Sequence, residues 1–313
     1  MISNIVKFIR DIYKTNEFIA LHEPSFSGNE LAYVTEAIKS TYVSSVGKFV
    51  DEFEEGIERY TASPGAVSTV NGTAALHASM YVAGVKAGEA VITQALTFVA
   101  TCNAIHHMGA QPVFVDVSNS TMGLCPKALE VFLEKNAVLE VDGAYMKSSR
   151  KRIRAVIPMH TYGHPVELDE IAAVCKKWKL VLIEDAAESL GSFYKGRHTG
   201  TFGDFGALSF NGNKIITTGG GGMVLCASEG SKKLVKHVTT TAKVAHPYEF
   251  FHDVAGFNYR MPNLNAALGV GQLEVLNSYL VKKRNLAMHY KAFFEGSDYS
   301  FFDEPIDTQS NFG

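Results

Sequence analysis

Three stretches of the sequence place reactive or ion-binding side chains where a strand should end. Asn71-Gly-Thr-Ala-Ala follows the apolar run AVSTV and opens a helix-like pattern. Free backbone N–H groups at a helix N-terminus, with a Thr hydroxyl beside them, suit a phosphate; an Asn-Gly turn that only caps the helix reads the same way. Ile183-Glu-Asp-Ala-Ala-Glu closes an apolar run on Asp185, at the edge where open α/β sheets bind ligands. Buried there, a carboxylate needs a cation, a metal, a protonated ring nitrogen or the N–H groups of a following helix. Ser209-Phe-Asn-Gly-Asn-Lys-Ile-Ile-Thr-Thr, followed by the glycines Gly219 to Gly222, sets Lys214 in a loop of small polar residues. A confined lysine amine forms Schiff bases with aldehydes and ketones, whereas a surface lysine in a flexible turn is the plain alternative. The glycines allow close backbone approach, and Ser209 offers a hydroxyl for a phosphate oxygen.

In this order the three stretches supply a phosphate cradle, a carboxylate for a pyridinium nitrogen and a Schiff-base lysine. Those are the parts that hold pyridoxal phosphate.

The elements that must position these residues are legible as short β-rich runs at Ala66–Val70, Ala90–Thr93, Pro112–Val117, Ala155–Met159, Leu180–Ile183 and Ala207–Phe210, with helical spacing between several of them. Runs such as PVFVDV and LVLIED are apolar without alternation, as in strands buried on both faces. They predict an α/β fold with a mostly parallel sheet sandwiched by helices, and function at the strand C-termini. After Pro262, the stretch from Leu264 to about Phe294 predicts a long helix leaving the sheet. The expected organisation is an N-terminal arm over 1–25, a large cofactor-binding domain over 26–245, and over 246–313 the start of a smaller C-terminal domain. About 20 residues follow the long helix, too few to complete an independent core, so the small domain is expected to be incomplete.

Composition narrows the function classes. The 313 residues are 46% hydrophobic and 19% charged, and Lys+Arg 29 against Asp+Glu 32 gives a net charge of −3. No positive field gathers nucleic acid or anionic lipid, and no apolar run reaches the roughly 18 residues of a spanning helix. The charged N-terminus lacks a signal peptide's apolar region, so a cytoplasmic location is expected. Cys102, Cys125, Cys175 and Cys226 form no C-x-x-C pair and are expected to be reduced and mostly buried. His160 and His164 flank a non-helical TYG, and His106 and His107 are neighbours on a helix, so neither pair converges on a metal. No G-x-G-x-x-G follows a strand, which leaves a dinucleotide dehydrogenase without its phosphate fingerprint.

From about Leu21 to about Tyr290 the chain resembles the DegT/DnrJ/EryC1/StrS sugar aminotransferases, pyridoxal-phosphate enzymes of the fold type I, aspartate aminotransferase-like superfamily. The resemblance rests on VSSVGKFVDEFE from Val43, NGTAAL from Asn71, LTFVAT from Leu96, GAQPVFVDV from Gly109, PMHTYGHPVELDEI from Pro158, VLIEDAAESLGS from Val181, GDFGALSFNGNKIITTGGGGM from Gly203 and GFNYRMPNLNAALGVGQLE from Gly256. HEPSFSGNE from His22 and the four-glycine run resemble the legionaminic-acid-type branch that makes 4-amino sugars.

The resemblance implies a role for each matching residue. Lys214 would form the Schiff base and shuttle the proton, and Asp185 would pair with the pyridinium nitrogen. Thr73, the backbone of Ala74 and Ser209 would hold the phosphate, and Phe98 would stack on the ring. Glu188 stands near the ring hydroxyl, where many members carry Gln or His. Asn258 and Arg260 match positions that a neighbouring subunit contributes to the phosphate and to the substrate carboxylate, which implies a homodimer with shared sites. The implied reaction moves the amino group of L-glutamate to the keto carbon of a nucleotide-linked 4-keto-6-deoxy sugar, for a surface polysaccharide. A 3-keto-sugar aminotransferase and a truncated, non-catalytic cofactor-binding remnant are the alternatives. A third branch, the 3-dehydratases, carries His in place of the lysine, and Lys214 argues against it.

Overall fold

The computed structural model describes residues 2–313. Three helices lead in, α1 (Ile2–Tyr13), α2 (Glu30–Lys39) and α3 (Lys48–Thr61), before β1 (Gly65–Thr69), α4 (Gly72–Val82), β2 (Ala90–Gln94), α5 (Val99–His107) and β3 (Gln111–Val115). Next come α6 (Pro126–Asn136), the hairpin β4 (Ala137–Glu140) and β5 (Gly143–Met146), β6 (Arg152–Ile157), α7 (Leu168–Trp178) and β7 (Val181–Asp185). The two-residue strands β8 (Phe193–Tyr194) and β9 (Arg197–His198) precede β10 (Phe205–Ser209), β11 (Gly222–Cys226), α8 (Glu229–Thr239), α9 (Asn263–Phe294) and β12 (Thr308–Gln309).

The main sheet runs in the order β1-β11-β10-β7-β6-β2-β3, with β5 also pairing β6. The pairings β10/β7, β7/β6, β6/β2 and β2/β3 are parallel, while β11 is antiparallel to both β1 and β10. Side chains alternate across each strand. Val67, Ile183, Ala207 and Val224 therefore enter a core under α4, α5 and α8, whereas Ala66, Leu208, Met223 and Leu225 enter a second core with Phe53 and Ile57 of α3. The first half of α9, counted in the sequence with a second domain, packs into this second core through Ala266, Ala267 and Leu276. It lies so close to α2 that a Cβ on Gly271 would sit 2.8 Å from the Glu30 backbone nitrogen.

Two differences from the sequence reading have local causes. The run GMVLC, which begins on the last of the four glycines, is a central strand, β11, hidden from the pattern by those glycines. The expected run Ala155–Met159 begins earlier, at Arg152, because Arg152 to Ala155 alternate between partly exposed and buried positions. After α9 the chain returns to the sheet domain: β12 pairs β8, and Asn311 Nδ2 donates to the carbonyls of Glu188 and Leu190, both at 2.9 Å. Cys175 and Cys226 are buried, Cys102 and Cys125 half-buried, and all four are free. Among the described residues no helix is long and apolar enough to cross a membrane.

Candidate active site

The parallel register brings β1, β7 and β10 to one edge of the sheet with their C-termini together, and β11 starts there because it runs the other way. Thr69, Gly222 and Ser209 are register partners across this edge. The approach is close enough to require glycine: a Cβ on Gly222 would lie 2.4 Å from the Asn71 carbonyl oxygen, and one on Gly72 would lie 2.9 Å from Cβ of Ser209. Helix α4 therefore starts directly over Ser209.

Asn71 caps α4 with its side chain, accepting the Ala74 N–H at 2.8 Å. The Ala74 N–H expected to meet a phosphate is thus already bonded, and Ala74 is buried off the cavity wall. The N–H groups of Gly72 and Thr73 have no acceptor within the helix, and Gly72, Thr73 and Ser209 line the same cavity.

Asp185 ends β7 and is 3% exposed. Its Oδ2 accepts the Thr101 hydroxyl at 2.6 Å and its Oδ1 the Ala187 N–H at 3.2 Å. Burial pushes its carboxyl above the usual range, partly countered by these two donors and by Lys214. Among the described residues it has no ion-pair partner. Lys214 follows β10 in a turn closed by its own N–H to the Asn211 carbonyl at 3.0 Å. Its Nζ donates to Oε1 of Glu188 at 3.3 Å, and the other oxygen of Glu188 accepts the Tyr162 N–H at 3.0 Å. Tyr162 presents that N–H from a left-handed conformation, φ 51°.

One cavity of about 360 Å³ is lined by Gly72, Thr73, Phe98, Asp185, Glu188, Ser209 and Lys214 together. Phe98, the N-cap of α5, is 66% exposed at its wall. Asn258 and Arg260 do not line it. They sit on the segment bridged to the end of β1, Arg260 Nε donating to Oδ1 of Asn258 at 3.2 Å. Thr101 and Tyr162 escaped the sequence reading, since each meets its carboxylate across a long stretch of chain. His160, considered and set aside as a ligand, accepts the Val166 N–H at Nδ1 and so donates from Nε2 to Glu184 at 3.0 Å, a structural role.

The cavity fits pyridoxal phosphate on its own terms: helix N–H groups and two hydroxyls for the phosphate, a buried carboxylate lacking a cation for the ring nitrogen, and an amine for the aldehyde. The comparisons with known proteins agree. Residues 24–310 match the model of the DegT/DnrJ/EryC1/StrS aminotransferase family. The chain belongs to that family. A GDP-perosamine synthase of Escherichia coli O157:H7 is 36% identical over 275 residues, which cover 88% of this chain and 71% of that protein. One from Caulobacter vibrioides is 34% identical, over 87% of this chain and 69% of its own length. The crystal structure of the aminotransferase TlmJ from Streptoalloteichus hindustanus superposes with a TM-score of 0.84 at 28% identity, covering 94% of this chain and 77% of that one. The aminotransferase from Psychrobacter cryohalolentis gives 0.82 at 29% identity, over 95% and 75%. The protein is a sugar aminotransferase dependent on pyridoxal phosphate, with the fold type I architecture. These relatives do not single out the legionaminic-acid-type branch.

Proposed function

We propose that this aminotransferase takes the amino group from L-glutamate and delivers it to the keto carbon of a nucleotide-linked 4-keto-6-deoxy sugar, for a surface glycan. The observation that carries the reading is the convergence of Lys214, Asp185 and the α4–Ser209 cradle on one cavity. Relatives whose names contain GDP support a nucleotide-linked substrate.

When bound, pyridoxal phosphate supplies an aldehyde that takes up the amino group and a cationic ring that draws electrons from the carbon losing its proton. The N–H groups of Gly72 and Thr73 with the hydroxyls of Thr73 and Ser209 anchor the phosphate. Asp185, fixed by Thr101 and Ala187, keeps the ring nitrogen charged. Lys214 would hold the cofactor's aldehyde, and its Nζ would carry the proton that moves. Glu188, held by Tyr162, receives the Lys214 ammonium. Asn258 and Arg260, outside this cavity, serve the site of a second copy: the planar guanidinium suits a carboxylate. The site works in the cytoplasm as part of a homodimer.

The test is to load the protein with the cofactor, add L-glutamate, and measure released 2-oxoglutarate with the loss of the cofactor's visible band; nucleotide-linked keto sugars then follow as acceptors. Wild type should release one equivalent per site and Lys214→Ala none. Release without a bound cofactor, or none from fully loaded wild type, overturns the reading.

A further inference from the structure

On the far side of Lys214 a groove of about 570 Å³ runs between α1, the segment His22–Ser25 and α9. Five basic side chains line it, Lys214, His22, Lys282, Lys283 and His289, against the single carboxylate of Glu23. Lys283 and His22 also line the adjoining cavity that contains Lys214, Glu188 and Ser209, so the groove opens onto the reacting amine.

Lys283 is anomalous within α9. The next residue, Arg284, is locked to both oxygens of Glu304 at 2.8 Å. Lys283 Nζ has no ion pair among the described residues, and its hydrogen-bond partner is Nε2 of His22 at 3.2 Å. Burial pushes the Lys283 ammonium below its usual range, and His22 is pushed down by burial, then by Lys283, then by Lys214. A sheltered cation without a counter-charge is unfavourable, and an anion entering between Lys283 and His22 removes that cost. The groove is far larger than an amino-acid carboxylate needs and lies in the size range of sites for whole cofactors. Its two neighbouring ammonium groups, Lys282 and Lys283, match two phosphates rather than one carboxylate, and Tyr13 on its wall offers aromatic surface to a base.

We propose that Lys283, with His22, binds the diphosphate of the nucleotide-linked sugar, so that the nucleotide lies along α9 and the sugar extends to Lys214. This rests on the substrate class proposed above. The test is equilibrium binding of GDP, UDP, guanosine and uridine to the cofactor-loaded protein, in wild type, Lys283→Met, His22→Gln and, as a control for lost charge, Lys233→Met. Lys283→Met should weaken diphosphate binding about tenfold or more, the loss of one charge-assisted hydrogen bond, with a weaker dependence on salt. Nucleoside binding, the reaction with L-glutamate and thermal stability should be retained. His22→Gln should weaken diphosphate binding less, and Lys233→Met should leave it unchanged. Diphosphate affinity that survives Lys283→Met, that falls equally in Lys233→Met, or a loss confined to L-glutamate overturns the subsite. Wild type that releases 2-oxoglutarate but binds neither diphosphate also overturns it, leaving the amino-donor reaction standing. Failure of cofactor loading would instead strike the catalytic reading, with diphosphate binding still measurable on the unloaded protein.

Discussion

Thr101 of α5 donates its hydroxyl to Oδ2 of Asp185 at 2.6 Å, joining two residues 84 positions apart. Thr101 has one proton and gives it to the carboxylate, so the 2.8 Å contact with Thr97 must be donated by Thr97. The pair aims Asp185 at the cavity. Thr101→Val preserves shape and removes the donor. Cofactor affinity should then fall about tenfold, in line with ~1.5 kcal/mol for a hydrogen bond to a charged group, while Thr101→Ser should retain it. Titration of the cofactor-free protein measures this, and an unchanged dissociation constant for Thr101→Val would reject the role.

Asp185 also gives a signed pH dependence. Its carboxyl is raised in the folded state, chiefly by burial. The stability it contributes is therefore fully present below the ordinary Asp value of about 3.9 and is lost as pH rises through the raised value. Ionising this buried carboxyl in the cofactor-free chain therefore costs stability. Asp185→Asn should melt at or above wild type at pH 7, with the advantage shrinking toward pH 4. Pyridoxal phosphate, by bringing a cationic ring nitrogen, should raise the melting temperature of wild type more than that of the Asn variant. Scanning calorimetry from pH 4 to 8 decides it; a cofactor-free variant that melts well below wild type at pH 7 contradicts the account.

The three site segments were legible in the sequence because each is a local pattern at a strand end: Asn71 before a helix, Asp185 after an apolar run, Lys214 before glycines. The α/β class followed from the same runs. What stayed hidden depends on register and approach. Thr101 meets Asp185, Tyr162 meets Glu188 and Lys283 meets His22 through tertiary packing that leaves no spacing signal. β11 lies between β1 and β10, a pairing that its own short run after the glycines does not announce.

Glu188 is the hydrogen-bonding partner of the Lys214 ammonium, and it is held by a backbone N–H rather than by another charge. Glu188→Gln keeps an oxygen for Tyr162 and removes the charge facing Lys214. The rate of the L-glutamate half-reaction should drop about a hundredfold, the lower end for a lost proton-transfer partner, with the melting temperature nearly unchanged. Stopped-flow absorbance measures the rate, and equal rates would show that Glu188 only fills space.

Glu184, next to Asp185 on β7, faces the other side of the sheet and should behave in the opposite way. Its oxygens accept from His160 Nε2 at 3.0 Å and from the N–H groups of Gly200, Phe202 and Gly203 at 2.7, 2.6 and 2.8 Å. Burial alone would raise its carboxyl, but His160 and the backbone donors hold it below the usual range. The stability it brings is present above the ordinary Glu value of about 4.3 and is lost as pH falls through the depressed value. Glu184→Gln turns an acceptor into a donor against N–H groups that have no other partner, a loss of about 3–5 kcal/mol. For a chain of this size that lowers the melting temperature by roughly 5–8 °C. Turnover per folded molecule should fall little, whereas Asp185→Asn should abolish turnover without lowering stability. If both substitutions cost the same stability, the two carboxylates would share one structural role, and the division of β7 into a supporting face and a reacting face would be wrong.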